Sequence, residues 1–184
     1  MEKILMFDTE HGSHTLGGQE EIEKLFNCPV LKPAQFDDFR NAITSLYTTQ
    51  RVEVPKKISK DLTINEVQEH TVLKNGVTID ALIVDSFSEL AKKYQRSLVD
   101  KSGVMKLNSW GKLKNTLDTL LEFITKVPGI LIMTCHSKTE TLEDGRTKIV
   151  PYIDGSTKAD VSKWFDFVLY TYTKKNGNKQ DYMW

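Results

Sequence analysis

Four short apolar runs punctuate the chain, at residues 4–7 (Ile-Leu-Met-Phe), 81–84 (Ala-Leu-Ile-Val), 130–135 and 167–172. The first three carry no polar alternation, which is the pattern of strands in a parallel sheet covered on both faces. Between them the spacing changes to that of helices. Residues 19–26 place Ile22, Leu25 and Phe26 on one face. Residues 35–47 do the same with Phe36, Phe39, Ala42, Ile43, Leu46 and Tyr47, and residues 87–99 with Phe87, Leu90, Ala91, Tyr94 and Leu98. The longest pattern, 110–126, stacks Leu113, Leu117, Leu120, Leu121 and Ile124 before Pro128 and Gly129 end it. Alternating strands and helices predict an α/β fold with a doubly wound, mainly parallel sheet. The 184 residues suit a single domain spanning 1–184.

Two stretches interrupt this alternation. Residues 49–79 form a polar insertion, and Asn75-Gly76 between short apolar segments predicts a small hairpin at its end. Residues 137–160, with Gly145, Pro151 and Gly155, read as a long loop with an extended middle at 147–153.

Composition narrows the class. Twenty-five Lys and Arg balance twenty-five Asp and Glu, which excludes a uniformly basic nucleic-acid coat. Charge is nevertheless uneven. Residues 92–114 hold seven bases against Asp100 alone, a stretch suited to phosphates or to a solvated helix face. No apolar run reaches the ~18 residues that span a bilayer, and no signal peptide is evident, so the expected location is cytoplasmic. Cys28 and Cys135 stand far apart and supply neither a disulfide framework nor a four-cysteine zinc site. Cys135 reads as a small core residue. Tyr94, Trp110 and Trp164 could stack on bases or pack in the core.

The polar residues that end the apolar runs carry the chemistry, because open parallel sheets bind ligands at the C-terminal edge of their strands. Residues 4–7 lead into Asp8, Thr9, Glu10 and His11; residues 81–84 into Asp85 and Ser86; residues 130–133 into Thr134, Cys135 and His136. If these strands are neighbours, Glu10, Asp85 and His136 converge on one crevice, unless they serve only as caps of the following helices. A strand-end carboxylate such as Asp85 can hold hydrated Mg²⁺ against phosphate oxygens. Glu10 could orient an attacking water, and His136 could report a γ-phosphate through one hydrogen bond. A different class, a metal-dependent hydrolase, would use Asp8, Glu10, His11 and His14.

Residues 5–12 (Leu-Met-Phe-Asp-Thr-Glu-His-Gly), 82–86 (Leu-Ile-Val-Asp-Ser) and 132–138 (Ile-Met-Thr-Cys-His-Ser-Lys) resemble, in order, the RecA-like P-loop ATPases. The resemblance is closest to phage-encoded, single-domain, RadA-like members that act in recombination and single-strand annealing. It covers about residues 3–173 and implies a RecA-like core. Asp85 would be the Walker B aspartate, with Ser86 beside it at a Mg²⁺ held through water, Glu10 the catalytic glutamate and His136 the γ-phosphate sensor. Residues 137–156 would face single-stranded DNA, with Lys138, Arg146 and Lys148 as phosphate contacts, and residues 165–170 would be a late core strand.

ATP and Mg²⁺ are the implied cofactors, and homo-oligomeric rings or filaments the implied assembly, with Lys138, Lys158 or Lys163 completing a neighbour's site. If the protein is phage-encoded, its address is the host cytoplasm. No Gly-x-x-x-x-Gly-Lys-Ser/Thr occurs in the sequence, so the resemblance implies a core lacking its first strand, P-loop and first helix. Such a core would leave a sheet edge or face uncovered. The alternative is a non-catalytic nucleic-acid-binding or assembly module on the same fold.

Overall fold

A computed structural model describes residues 3–12, 17–59, 63–176 and 179–183. Strand β1 (Ile4–Asp8) leads to helix α1 (Gln19–Phe26), the two-residue strand β2 (Val30–Leu31) and helix α2 (Phe36–Ser45). A long antiparallel arm follows, β3 (Tyr47–Lys57) and β4 (Thr63–Leu73). The chain returns through β5 (Ala81–Asp85), α3 (Phe87–Leu98), α4 (Leu107–Ile124) and β6 (Ile130–Met133). Beyond lie the hairpin β7 (Ser137–Thr141) and β8 (Thr147–Pro151), the short helix α5 (Thr157–Asp160), a 3₁₀ turn at Val161–Trp164, and the hairpin β9 (Tyr172–Asn176) and β10 (Lys179–Met183).

The central sheet is parallel in the order β2-β1-β5-β6. Alternate strand residues, Leu5, Phe7, Leu82, Val84, Leu131 and Met133, share a core with α2, α3 and α4. Phe39 is fully buried there and meets the Phe7 ring edge-on at 4.6 Å. All three helices therefore cover one face. On the opposite face Ile130 and Ile132 are exposed, so the doubly wound cover expected from the apolar runs is incomplete among the described residues. At the other rim α1 shields β2, as Glu23 accepts the Val30 N–H at 3.0 Å and the Gln19 amide donates to the Val30 carbonyl at 3.0 Å.

Each of the four helical patterns is a helix, and three of the four apolar runs are core strands. The side chains of Leu25 and Phe26 lie outside the described ones. The fourth run departs from expectation. Residues 167–171 form no strand, and pairing begins only at Tyr172, in a hairpin with Lys179–Met183. The expected late core strand at 165–170 has no partner among the described residues. The insertion also differs: its hairpin spans Tyr47–Leu73, and Asn75-Gly76 is a turn beyond it, closed by Val77 N–H to the Lys74 carbonyl at 3.0 Å. Its two faces both meet solvent, so no hydrophobic alternation marks its length. The predicted loop at 137–160 is largely a hairpin and a helical turn.

Candidate functional site

Strand register aligns the ends of the three strands that carry the predicted residues. β1 and β5 pair up to Asp8 opposite Asp85, and β5 and β6 up to Val84 opposite Met133. Glu10, Ser86 and His136 therefore all emerge just past the C-terminal ends of three adjacent parallel strands. Glu10 Oε1 faces His136 Nε2 at 2.5 Å and accepts a short hydrogen bond from Ser86 Oγ. Asp85 Oδ1 accepts from Thr134 Oγ1 at 2.5 Å. Glu10, Ser86 and His136 thus form one contact group, and Asp85 with Thr134 a second, at the ends of the same strands.

The turns that carry these groups are pinned by hydroxyls and one lysine. Thr9, fully buried, clasps the β5 end: its Oγ1 donates to the Ser86 carbonyl at 2.7 Å and accepts from the Ser86 N–H at 2.8 Å. The peptide between Asp85 and Ser86 is cis. Lys93, on α3, donates to the carbonyls of Thr9 at 2.8 Å and Pro33 at 2.7 Å, fixing the backbone immediately before Glu10. Ser88 Oγ accepts the His136 N–H at 3.0 Å. Ser86 serves both readings that the sequence allowed, because its Oγ also accepts the Glu89 N–H at 3.3 Å as the N-cap of α3. Thr9, Thr134, Ser88 and Lys93 are not among the residues that strand-end reasoning selects. Small hydroxyls beside a sheet edge resemble ordinary caps, and Lys93 belongs to a helix.

The donor set fits a hydrated divalent cation. A methyl group on Gly12 would stand 4.0 Å from Asp85 Oδ2, an ordinary contact distance, so Gly12 lies close to that oxygen. Hard oxygen donors with room for water are what Mg²⁺ requires, since it retains much of its hydration shell. Of the residues a metal-dependent hydrolase would use, His14 lies outside the described ones, among which no three His, Cys, Asp or Glu side chains gather as a metal site. Asp8 instead accepts the Gly12 N–H at 2.9 Å. Cys135 behaves as a core thiol, its pKa pushed up to about 11, chiefly by burial.

The basic residues sit on the hairpin that leaves the site directly after His136. Lys138, on β7, lies 3.4 Å from Glu140 and 5.4 Å from the centre of the Tyr152 ring, whose centre is also 4.5 Å from Lys92. Lys148 is exposed on β8, directly across from Glu140. Arg146 lies at the hairpin's end and binds Asp144, whose carboxyl it holds below the usual range. Lys158 bonds Glu140 at 2.6 Å and Lys163 bonds Asp160 at 2.5 Å, so both have partners within the chain. Tyr94 packs on Phe36 at 4.4 Å and bonds Thr116, a packing role, whereas Trp110, beside Gly155, and Trp164 are exposed.

Open parallel α/β sheets bind their ligands at the C-terminal edge of the strands, which is where these carboxylates and the histidine lie. The AAA domain family profile matches residues 1–183, and the chain belongs to that family, an AAA-type, ATPase-like domain. No curated protein and no solved structure matches the chain. No helix among the described residues is long and apolar enough to cross a membrane.

Proposed function

We propose that this domain is a RecA-like ATPase core that acts on single-stranded DNA, as in phage-type recombination or repair, and works as a homo-oligomer. The observation that carries the reading is the meeting of Glu10 and His136 beside Asp85 and Ser86 at the edge of three parallel strands. Asp85, oriented by Thr134, and Ser86 would hold Mg²⁺ through water, and the bound ion would offset charge on the phosphate oxygens. Glu10 orients and polarises the attacking water. His136, in contact with Glu10, couples the presence of a terminal phosphate to the position of that carboxylate. Lys138, Arg146 and Lys148 on the following hairpin would be the contacts to a nucleic-acid backbone, set among Glu140, Glu143 and Asp144 in a hairpin of no net charge.

The test is phosphate release from ATP and Mg²⁺ with and without single-stranded DNA. Glu10→Gln should retain nucleotide binding and lose turnover by about 10²–10⁴-fold, the usual contribution of a positioned base. Turnover that is unchanged in Glu10→Gln, or a wild-type chain that binds DNA and never hydrolyses ATP, would instead favour the non-catalytic binding module.

A further inference from the structure

The β3–β4 arm is a sheet of two strands only. Its base is tied down by Tyr47, which bonds Phe123, and by the Lys74 N–H, which donates to the Leu46 carbonyl at 2.9 Å. Beyond that base, residues 48–57 are exposed except Val54, and residues 63–71 except Glu66. A hairpin of two strands has little stability by itself, and a third strand or a packed face is what usually supplies it. The charge of the arm does not fit a polyanion, because Arg51, Lys56 and Lys57 balance Glu53, Glu66 and Glu69. Its two outer edges are not alike. Proline and lysine keep an exposed edge from pairing, and β3 carries Pro55, Lys56 and Lys57. β4 is eleven residues long, Thr63–Leu73, with neither proline nor lysine, and no described strand pairs with its outer side. An unguarded edge of this length is a surface to which another strand adds.

We propose that the outer edge of β4 pairs antiparallel with β4 of a second copy of this chain, about a two-fold axis at Gln68. The result is a four-stranded sheet, β3-β4-β4-β3. A two-fold axis perpendicular to the sheet keeps every side chain on its own face, so one residue of β4 meets its own copy on the axis. Centring on Glu66 or on Glu69 would oppose like charges, which is unfavourable. Centring on Val67 opposes Ile64 to His70 and engages only residues 63–71.

Centring on Gln68 engages all of Thr63–Leu73. Ile64 then meets Val72, Asn65 meets Thr71, and Glu66 meets His70, whose imidazole can donate to the carboxylate. Each of these pairs occurs twice. The Glu69 carboxylates of the two copies stand diagonally, and each is already held by Arg51 of its own chain at 3.0 Å. Glu66 likewise keeps Lys56 at 3.0 Å on its inner side. Antiparallel strands exchange two hydrogen bonds at alternate opposed pairs. Pairing along the whole of β4 therefore forms about ten bonds, the number that a typical stable interface holds. The second copy is the occupant because this edge complements itself in charge and in apolar contact along its full length.

The test uses the full chain without nucleotide or DNA. Gln68→Cys and Asn65→Cys are each oxidised with glutathione disulfide. Residues opposed across antiparallel strands have Cα atoms about 4.5–5.5 Å apart, within disulfide reach. Asn65 stands six positions along the strand from its own copy, about 20 Å away. Gln68→Cys should therefore give a disulfide-linked dimer about tenfold faster or more than Asn65→Cys. Equal rates in the two variants would overturn the proposal. In sedimentation equilibrium the wild-type chain should self-associate, and Gln68→Lys, which sets like charges face to face on the axis, should do so about tenfold more weakly or worse. Gln68 is exposed in the single chain, so that substitution leaves the arm itself intact. A wild-type chain that stays monomeric at high micromolar concentration, or association unchanged in Gln68→Lys, would also overturn the proposal. The arm stands apart from the strand-end site, so failure here leaves the ATPase reading standing, and a failed ATPase assay leaves this pairing standing.

Discussion

Glu10 illustrates how a side chain acquires a role from its neighbours. Its carboxylate is held by Ser86 and His136, which come from two other strand ends. Those partners fix its direction, and Thr9 and Lys93 fix the backbone beneath it. Tyr47 shows a different use of a polar atom. Its hydroxyl donates to the Phe123 carbonyl at 3.0 Å, tying the start of the β3–β4 arm to α4, and burial pushes its pKa up to about 12. A tyrosine in the unfolded chain titrates near 10. From about pH 10 to 12 the unfolded chain therefore loses a proton that the folded chain keeps. The contribution of Tyr47 is complete below pH 10 and is lost as the pH rises through 12. Urea denaturation at pH 7 and 11 should show Tyr47→Phe about 1 kcal/mol less stable at pH 7, the net value of one hydrogen bond. The same variant should lose less stability than wild type on going to pH 11.

At the scale of elements, the register of β5 and β6 depends on the turn that precedes β6. Gly129 has φ +115°, and a Cβ there would lie 2.4 Å from the Asp80 carbonyl oxygen, which is the acceptor for Ile130. Gly129→Ala must therefore displace backbone, and thermal unfolding should show a loss of at least about 1–3 kcal/mol. Helices of this fold were legible because each buries a continuous stripe, such as Leu113, Leu117, Leu121 and Ile124 on α4. The strands at 4–7, 81–84 and 130–133 were legible because they lack polar positions. β2 was not, because two residues carry no periodicity and are placed by pairing with Met6 and Phe7. The arm was not, because its pairs, such as Arg51 with Glu69 and Lys56 with Glu66, are polar on a solvated surface. Residues 167–171 have the composition of a strand, but pairing is a property of two strands, and no described strand pairs with them. The candidate site followed from one rule about strand ends, which selected Glu10, Asp85, Ser86 and His136. The hydroxyls and the lysine that hold them depend on tertiary distances that no local pattern encodes.

The whole molecule is an AAA-type domain with its chemistry gathered at one edge of a four-stranded parallel sheet and its apolar surface left bare at another. The two regions meet along the cavity that runs from β6 to His136. The most direct measurement of the central claim is a titration of the chain with a fluorescent ATP analogue, with and without Mg²⁺, for wild type and Asp85→Asn. The account expects saturable binding that requires Mg²⁺ and weakens about tenfold or more in Asp85→Asn, because that carboxylate holds the hydrated ion. Binding that is indifferent to both Mg²⁺ and Asp85, or none up to millimolar analogue, would contradict it.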